Sequence, residues 1–399
     1  MASSSSALPT TISFSVTFLI LLSSLETASG CFTSIFAFGD SLADTGNYAT
    51  IYPPIFHLSN GTLYCGLPPY GETYFHHPTG RCSDGRLIID FIAEYYGLPP
   101  VPPYLMGAKH RSNSRFEAGL NFAVAGATAL DVPFYGEKGI SSTLANISMS
   151  TQLRWFKGLL PSLCYSSSCS EVFKSSLFLM GFGGNDYGKA FLQGKSLEET
   201  KSLVPLVISA TRSAINELID LGVVNIMVNG LLPDGCSPAM LTYFKSSNKE
   251  DYDTATGCLS WLNDFSNYHN ELLQEELNRV RANHPDAFIL YADYFNPLMQ
   301  LFRSPEQNGF GGRSLMACCG DGGPPYNYNF TAQCGEPAST ACARPSLYIS
   351  WDGIHLTEAA YRFMAKGLLE GPCTTPTINT LCTSMKKDFG FASAMTSQL

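Results

Sequence analysis

The sequence predicts an α/β protein, a parallel β-sheet with helices on its faces. Short apolar runs alternate along the chain with segments in which apolar residues recur every three or four positions. The composition agrees: 45% of the 399 residues are apolar and only 14% are charged, which suffices for a large core and leaves no segment typical of disorder.

The predicted strands are the short apolar runs. The first, residues 34–38, gives way to a polar loop, and the other three cover residues 176–181, 223–228 and 287–291. Helices are predicted where the apolar spacing is three or four, over residues 86–96, 197–221, 259–282 and 358–369. Gly97, Gly222 and Gly371 follow three of these segments, as left-handed C-caps do.

Two long segments lie between the predicted elements, residues 52–85 and 309–345, and both are rich in Gly, Pro and Cys. Loops of this length in a compact domain are usually functional or covalently stapled, so we expect them to shape the entrance of a site. The polar tail after Pro372 gives no predicted element.

The first 30 residues are predicted to be a signal peptide, which leaves residues 31–399 as a single domain. Residues 12–22 form an apolar run of h-region length, too short to span a bilayer, and Ala28, Ser29 and Gly30 provide a small-residue cleavage site. We therefore expect no stable membrane anchor and a route through the secretory pathway to the cell exterior or the vacuole.

Thirteen cysteines without paired CxxC spacing favour disulfides over a metal site. Because the number is odd, at least one thiol remains, and Cys31 is the candidate from its position beside the predicted cleavage point. N-glycosylation is predicted at Asn60, Asn146 and Asn329, each the first residue of an Asn-x-Ser/Thr sequon.

The charge pattern excludes nucleic acid as a partner. The net charge is −9, from 24 basic and 33 acidic residues, and no basic cluster would suit a phosphate backbone. We expect no metal and no organic cofactor.

A serine, a carboxylate and an imidazole provide a candidate catalytic set. Ser41 follows the first predicted strand, where a hydroxyl can be presented to a substrate. Asp352 and His355 are three positions apart, so the carboxylate can orient the imidazole while its other nitrogen serves as the base for the serine. A bare D-x-x-H pattern is also typical of a surface Asp near a buried His, and this alternative stays open from the pattern alone.

Two further segments could stabilise an oxyanion. Residues 181–187 follow a predicted strand, so Asn185 would emerge at the same sheet edge as Ser41. In the segment 119–128, Gly126 has no Cβ, so a ligand can closely approach its backbone N–H. Taken singly, a Gly-Gly-Asn-Asp sequence is more often a structural turn.

With these four blocks in this order, the chain resembles the plant GDSL esterase/lipase family of the SGNH hydrolase superfamily, from about residue 34 to residue 369. The resemblance implies a flavodoxin-like three-layer sandwich, the SGNH hydrolase fold. It also implies that Ser41, Asp352 and His355 are catalytic, and that the oxyanion hole consists of the Ser41 N–H, the Gly126 N–H and the Asn185 amide.

We therefore predict a secreted carboxylic-ester hydrolase, expected to be a monomer, that acts on small esters of plant specialised metabolites. The resemblance favours acetyl or phenolic esters, as for the esterases of acetylated alkaloids and sinapate choline esters. Three alternatives remain: an acyltransferase with the same residues, a lipase on acylglycerols, and a non-catalytic binding or defence-associated protein.

Overall fold

The computed structural model describes residues 31–52, 64–109, 119–141, 146–164, 169–311 and 313–381. The predicted signal peptide lies outside these residues. The strands within them are β1 (Ser34–Gly39), β2 (Gly119–Asn121), β3 (Ser176–Gly181), β4 (Asn225–Asn229), β5 (Phe288–Ala292), β6 (Cys319–Gly320), β7 (Thr340–Ala341) and β8 (Thr374–Thr375). The helices are α1 (Asn47–Ile51), α2 (Ile88–Tyr95), α3 (Tyr104–Lys109), α4 (Val132–Glu137), α5 (Met149–Leu163), α6 (Cys169–Lys174), α7 (Gly184–Leu192), α8 (Leu197–Lys201), α9 (Val204–Asp220), α10 (Pro238–Tyr243), α11 (Ser260–Asn283), α12 (Phe295–Arg303) and α13 (Glu358–Leu369).

Six of the strands form the central sheet, in the order β2-β1-β3-β4-β5-β8. The first five are mutually parallel, and β8 pairs antiparallel to β5. The order 2-1-3-4-5 is that of a flavodoxin-like doubly wound sheet, which confirms the predicted fold class. In such sheets the loops at the carboxyl ends of the strands form the ligand site.

The two faces of the sheet bury separate apolar clusters. Alternate residues of β1 divide between them, with Phe36 and Phe38 in one cluster and Ile35 and Ala37 in the other. Helices α5, α9 and α11 contribute to the first cluster, and α2, α12 and α13 to the second. The molecule therefore has three layers, as predicted.

The four predicted strands are confirmed to within two residues at each end. Two strands of the sheet were not predicted, β2 and the tail strand β8. The predicted helix over residues 197–221 is wrong as a single element, because the chain forms α8 and then α9. Pro205 explains the break, since a proline ring is accommodated in the first turn of a helix but not in its interior.

Two of the three predicted glycine caps are confirmed. Gly97 and Gly222 have φ of 70° and 94°, and in each case the next residue donates its N–H back to the last helical turn. The prediction for Gly371 is wrong, because its φ is not in the left-handed region. The chain there turns back closely on α13, where a Cβ on Gly371 would lie 2.8 Å from the Gly367 carbonyl oxygen.

Disulfides staple the long loops, as expected. The bridges within the described residues are Cys65–Cys82, Cys164–Cys169, Cys236–Cys258, Cys318–Cys342 and Cys319–Cys334. The prediction that Cys31 is the unpaired thiol is wrong, because Cys31 is buried directly before β1 and is disulfide-bonded. The free cysteine among the described residues is Cys373, between α13 and β8.

A buried carboxylate fixes the loop that follows β1. Asp44 accepts hydrogen bonds from the backbone N–H groups of Gly46, Asn47 and Tyr48, at 2.6–2.9 Å. Its Oδ2 also accepts from the N–H of Ala125, at 2.9 Å, in the segment after β2. This single side chain therefore joins the loops that follow two neighbouring strands.

We predict that Asp44→Asn lowers the free energy of unfolding by about 2–4 kcal/mol, because the amide group presents N–H donors toward backbone N–H donors and leaves buried groups unpaired. Urea unfolding followed by circular dichroism measures the change. The control is Asp286→Asn, which alters an exposed carboxylate and should shift the unfolding free energy by less than about 0.5 kcal/mol. Equal effects of the two substitutions would contradict the assigned role of Asp44.

Candidate active site

Ser41 lies in the turn that follows β1. The carbonyl of Asp40 accepts hydrogen bonds from the N–H groups of Ala43 and Asp44, at 3.1 and 3.0 Å, which closes the turn around the serine. Ser41 is 8% exposed. Within the described residues, neither its hydroxyl nor its backbone N–H makes a hydrogen bond, so both remain available to a substrate.

Asp352 and His355 are in direct contact. The Nδ1 of His355 lies 2.7 Å from Oδ2 of Asp352, and because a carboxylate only accepts, Nδ1 carries the proton. Oδ1 of Asp352 accepts from the N–H groups of Ile354 and His355, at 2.9 and 2.7 Å. Burial alone would raise the pKa of Asp352, but the charge and hydrogen bonds of His355 lower it below its ordinary value. The acid is therefore held ionised against the imidazole.

Residues 350–357 form a tight loop before α13 that orients this pair. Trp351 donates its N–H to the carbonyl of His355, at 2.8 Å, which places Asp352 and His355 on the same side of the loop. Gly353 has a φ of 97°, and a Cβ there would lie 2.2 Å from the ring of Tyr328. A glycine is needed at this position both for its conformation and for the close approach of the ring.

A third side chain, which no sequence pattern indicated, contacts the carboxylate of Asp352. The hydroxyl of Tyr70 donates to Oδ2 of Asp352 at 2.9 Å, across 282 positions of sequence. Tyr70 is 3% exposed and belongs to the loop that the Cys65–Cys82 disulfide closes. One long loop thus reaches the site, as the sequence predicted, although the residue that does so was not identified.

Asn185 and Gly126 also converge on the Ser41 turn. Asn185 lies at the start of α7, and its amide nitrogen is 3.1 Å from the carbonyl oxygen of Ala127 and 3.4 Å from Oδ2 of Asp40. Gly126 has a φ of 81°, and within the described residues its N–H makes no hydrogen bond. The segments after β1, β2 and β3 therefore meet at one edge of the sheet.

No hydrogen bond joins Ser41 to His355 in the part of the chain described here. The charge of His355 acts on Asp40, the residue before Ser41, and lowers the pKa of its carboxyl group. Among the described residues, the Nε2 of His355 has no hydrogen-bond partner and is not fully buried, so it faces accessible space. Contacts between nucleophile and base are often long without substrate and shorten on binding.

The described residues contain no cluster of three or more His, Cys, Asp or Glu side chains able to hold a metal ion. None of their helices combines the length with the apolar character needed to cross a membrane.

The sequence profile described as GDSL-like Lipase/Acylhydrolase matches residues 35–368. The chain is 51% identical over 369 residues to a GDSL esterase/lipase of Arabidopsis thaliana, covering 92% of this chain and 89% of that protein. It is 50% identical over 387 residues to the sinapine esterase of Brassica napus, covering 96% of both. The solved structure of an acetylxylan esterase from Geobacillus stearothermophilus aligns over 86% of this chain and 94% of its own, with 12% sequence identity and a TM-score of 0.35.

Asp40, the residue before Ser41, carries an unfavourably buried carboxyl group. Burial raises its pKa to about 6, although the hydrogen bond from the Leu42 N–H and the charge of His355 both lower that pKa. The charge of Asp186 raises the pKa of Asp40 further, and burial together with the charge of Asp40 raises the pKa of Asp234 to about 7. Because the folded state holds the Asp40 proton more tightly than the unfolded chain, the protein loses stability as the pH rises from about 4 to above 6.

We therefore predict that the free energy of unfolding of Asp40→Asn, taken relative to that of wild type, increases by about 2–3 kcal/mol when the pH is raised from 4 to 8. The amide has no proton to lose and still accepts from the Leu42 N–H. Denaturant unfolding of both proteins at the two pH values measures this difference. The control, Asp264→Asn on the exposed face of α11, should show no such trend. A stability difference between Asp40→Asn and wild type that does not change with pH would refute the explanation.

Proposed function

The chain belongs to the GDSL-like lipase/acylhydrolase family and is a plant carboxylesterase, and we propose that it forms an acyl-enzyme on Ser41. The observation that supports this most strongly is the buried 2.7 Å contact between Asp352 and the Nδ1 of His355. It leaves Nε2 as the free basic nitrogen at the sheet edge where Ser41 lies.

In this proposal His355 takes the Ser41 proton as the hydroxyl oxygen attacks the ester carbonyl carbon. The negative oxygen of the tetrahedral intermediate is held by the N–H groups of Ser41 and Gly126 and by the Asn185 amide. The alcohol leaves with the proton from His355, and a water molecule then repeats the sequence to release the acid. Asp352 keeps the imidazole in the tautomer that this cycle requires.

The surroundings of the acid-base pair support an ester with an aromatic acyl group, the phenolic class. Ile354, between the two residues, is 45% exposed, and Tyr243 and Phe330 are 43% and 39% exposed. Phe330 packs on Tyr243 and on Tyr328, whose ring lies against Gly353. Exposed apolar side chains grouped around a site suit a planar apolar ligand. The name sinapine esterase, carried by the Brassica napus relative, agrees with this class.

We also propose that the protein is secreted and glycosylated, acting outside the cell or in the vacuole. The disulfides of the described residues support an oxidising route. Asn146 is exposed and Asn329 is partly exposed, as acceptors of a glycan must be, whereas Asn60 lies outside the described residues.

We predict that Ser41→Ala lowers kcat by roughly 10⁵- to 10⁶-fold while the unfolding midpoint stays close to wild type, because the nucleophile is lost and a small side chain is retained. The measurement is hydrolysis of 4-nitrophenyl esters of increasing acyl chain length, which also separates esterase from lipase activity. Ser213→Ala, on the exposed face of α9, is the control and should retain full activity.

Mass spectrometry after treatment with an organophosphonate should place the adduct on Ser41. Product analysis with an added alcohol distinguishes hydrolysis from acyl transfer. Retention of wild-type activity by Ser41→Ala, or an adduct on another residue, would refute the proposed nucleophile.

We predict that Phe330→Ala raises the KM for a hydroxycinnamate methyl ester by roughly 10-fold, because an aromatic contact to the acyl group is lost. The KM for an aliphatic acetate ester should change by less than about two-fold, since an acetyl group does not reach the aromatic side chains. The control is Phe288→Ala, which removes a similarly exposed ring at the amino end of β5, the opposite edge of the sheet. Equal changes in KM for both substrates would exclude Phe330 from the acyl site.

A further inference from the structure

Lys189 is a buried lysine beside the proposed oxyanion hole. It lies on α7, four residues after Asn185, so the two side chains occupy the same face of the helix. Its residue exposure is only 7%. The one hydrogen bond that its ammonium group makes within the described residues is to the carbonyl oxygen of Gly126, at 3.2 Å.

The same helix contacts the segment 126–130 at several successive residues. Asn185 donates to the Ala127 carbonyl, and the carboxylate of Asp186 accepts from the N–H groups of Ala129 and Leu130, at 3.0 and 3.1 Å. The hydroxyl of Tyr135 also donates to Asp186. Lys189 supplies the contact at the start of this segment, at the residue whose N–H is proposed to bind the oxyanion.

Burying this ammonium group is costly. Desolvation lowers the pKa of Lys189, and the nearby charge of Asp186 opposes that effect only in part. No carboxylate of the described residues lies within ion-pair distance of the ammonium group. Lysines are almost never fully buried unless they are paired. The ammonium group of Lys189 is compensated by its hydrogen bond to the Gly126 carbonyl and by the Tyr135 ring, whose centroid lies 5.9 Å from Nζ.

We propose that Lys189 is a positioning residue of the oxyanion hole, one that holds the Gly126 carbonyl and so restrains the backbone torsions of that residue, which keeps its N–H converging with the Asn185 amide and the Ser41 N–H. Gly126 has a φ of 81° and no Cβ to limit its torsions, so contacts of the following peptide restrain them: the Lys189 bond to the Gly126 carbonyl and the Ala127 N–H bond to the Val124 carbonyl, at 3.0 Å. The hole acts on charge that develops in the transition state, so a loosened Gly126 lowers kcat and leaves substrate binding unchanged. This inference rests on the proposed function of the site.

The test substitution is Lys189→Met, which keeps a similar unbranched apolar stem and removes the donor. We expect kcat for a 4-nitrophenyl ester to fall roughly 10- to 100-fold with KM within about two-fold of wild type. Affinity for a boronic acid transition-state analogue should fall by the same factor as kcat/KM, which a merely structural role would not produce. Lys189→Gln retains an N–H donor and should recover part of the loss.

Lys195→Met is the matched control, because Lys195 follows α7 and pairs with Glu199, away from the segment 126–130. It should behave as wild type. Organophosphonate titration counts the active sites in each preparation, so that kcat is expressed per folded enzyme.

The inference is overturned if Lys189→Met retains kcat within about two-fold of wild type. It is also overturned if boronic acid affinity is unchanged, or if neither Lys189 variant folds, which would assign the residue to stability alone. These outcomes differ from failure of the proposed function, which would appear in the wild-type protein as absence of ester hydrolysis and of Ser41 labelling.

Discussion

The carboxylate of Asp44 is the interaction on which the site depends. A buried carboxylate is tolerated only where hydrogen bonds replace the water it has lost, and Asp44 meets that condition with four backbone N–H groups. Three belong to Gly46 and the first two residues of α1, and one to Ala125. The turn that carries Ser41 and the segment that carries Gly126 therefore form one rigid unit, although they follow different strands.

Helix α7 anchors the same segment from the other side. Asp44 fixes the N–H of Ala125, and Asp186 fixes the N–H groups of Ala129 and Leu130. Between these anchors the Gly126 N–H has no partner among the described residues. A binding site for an oxyanion needs donors that are rigidly held and unoccupied, and the proposed oxyanion hole depends on this arrangement. Asp40 shows the associated cost, because its carboxyl group is buried directly before Ser41 at the expense of stability.

The sequence predicts those parts of the fold that a local pattern encodes. Apolar runs identified β1, β3, β4 and β5, and four blocks in order led to the proposed site residues. Strand β2 has three residues, two of them Gly119 and Asn121, which gives no strand signal. Tyr70 and Lys189 were not predicted either, because each contacts a residue that is distant in sequence and is brought near only by the fold. The local sequence around a loop tyrosine or a helical lysine does not indicate such a partner.

The long stapled loops have a physical reason to exist beside this site. Asp352 and His355 lie in a loop before α13, so helical hydrogen bonds do not hold them, and side chains from elsewhere must do so. Tyr70, within the Cys65–Cys82 loop, bonds to Asp352, and Tyr328, within the Cys319–Cys334 loop, packs against Gly353. A loop can restrain another loop only if it is itself restrained, and a disulfide does this by removing conformations from a short closed chain. The bridges therefore support the loop that carries Asp352 and His355 from outside, beside α10, whose Ala239 N–H donates to the Gly353 carbonyl at 3.0 Å.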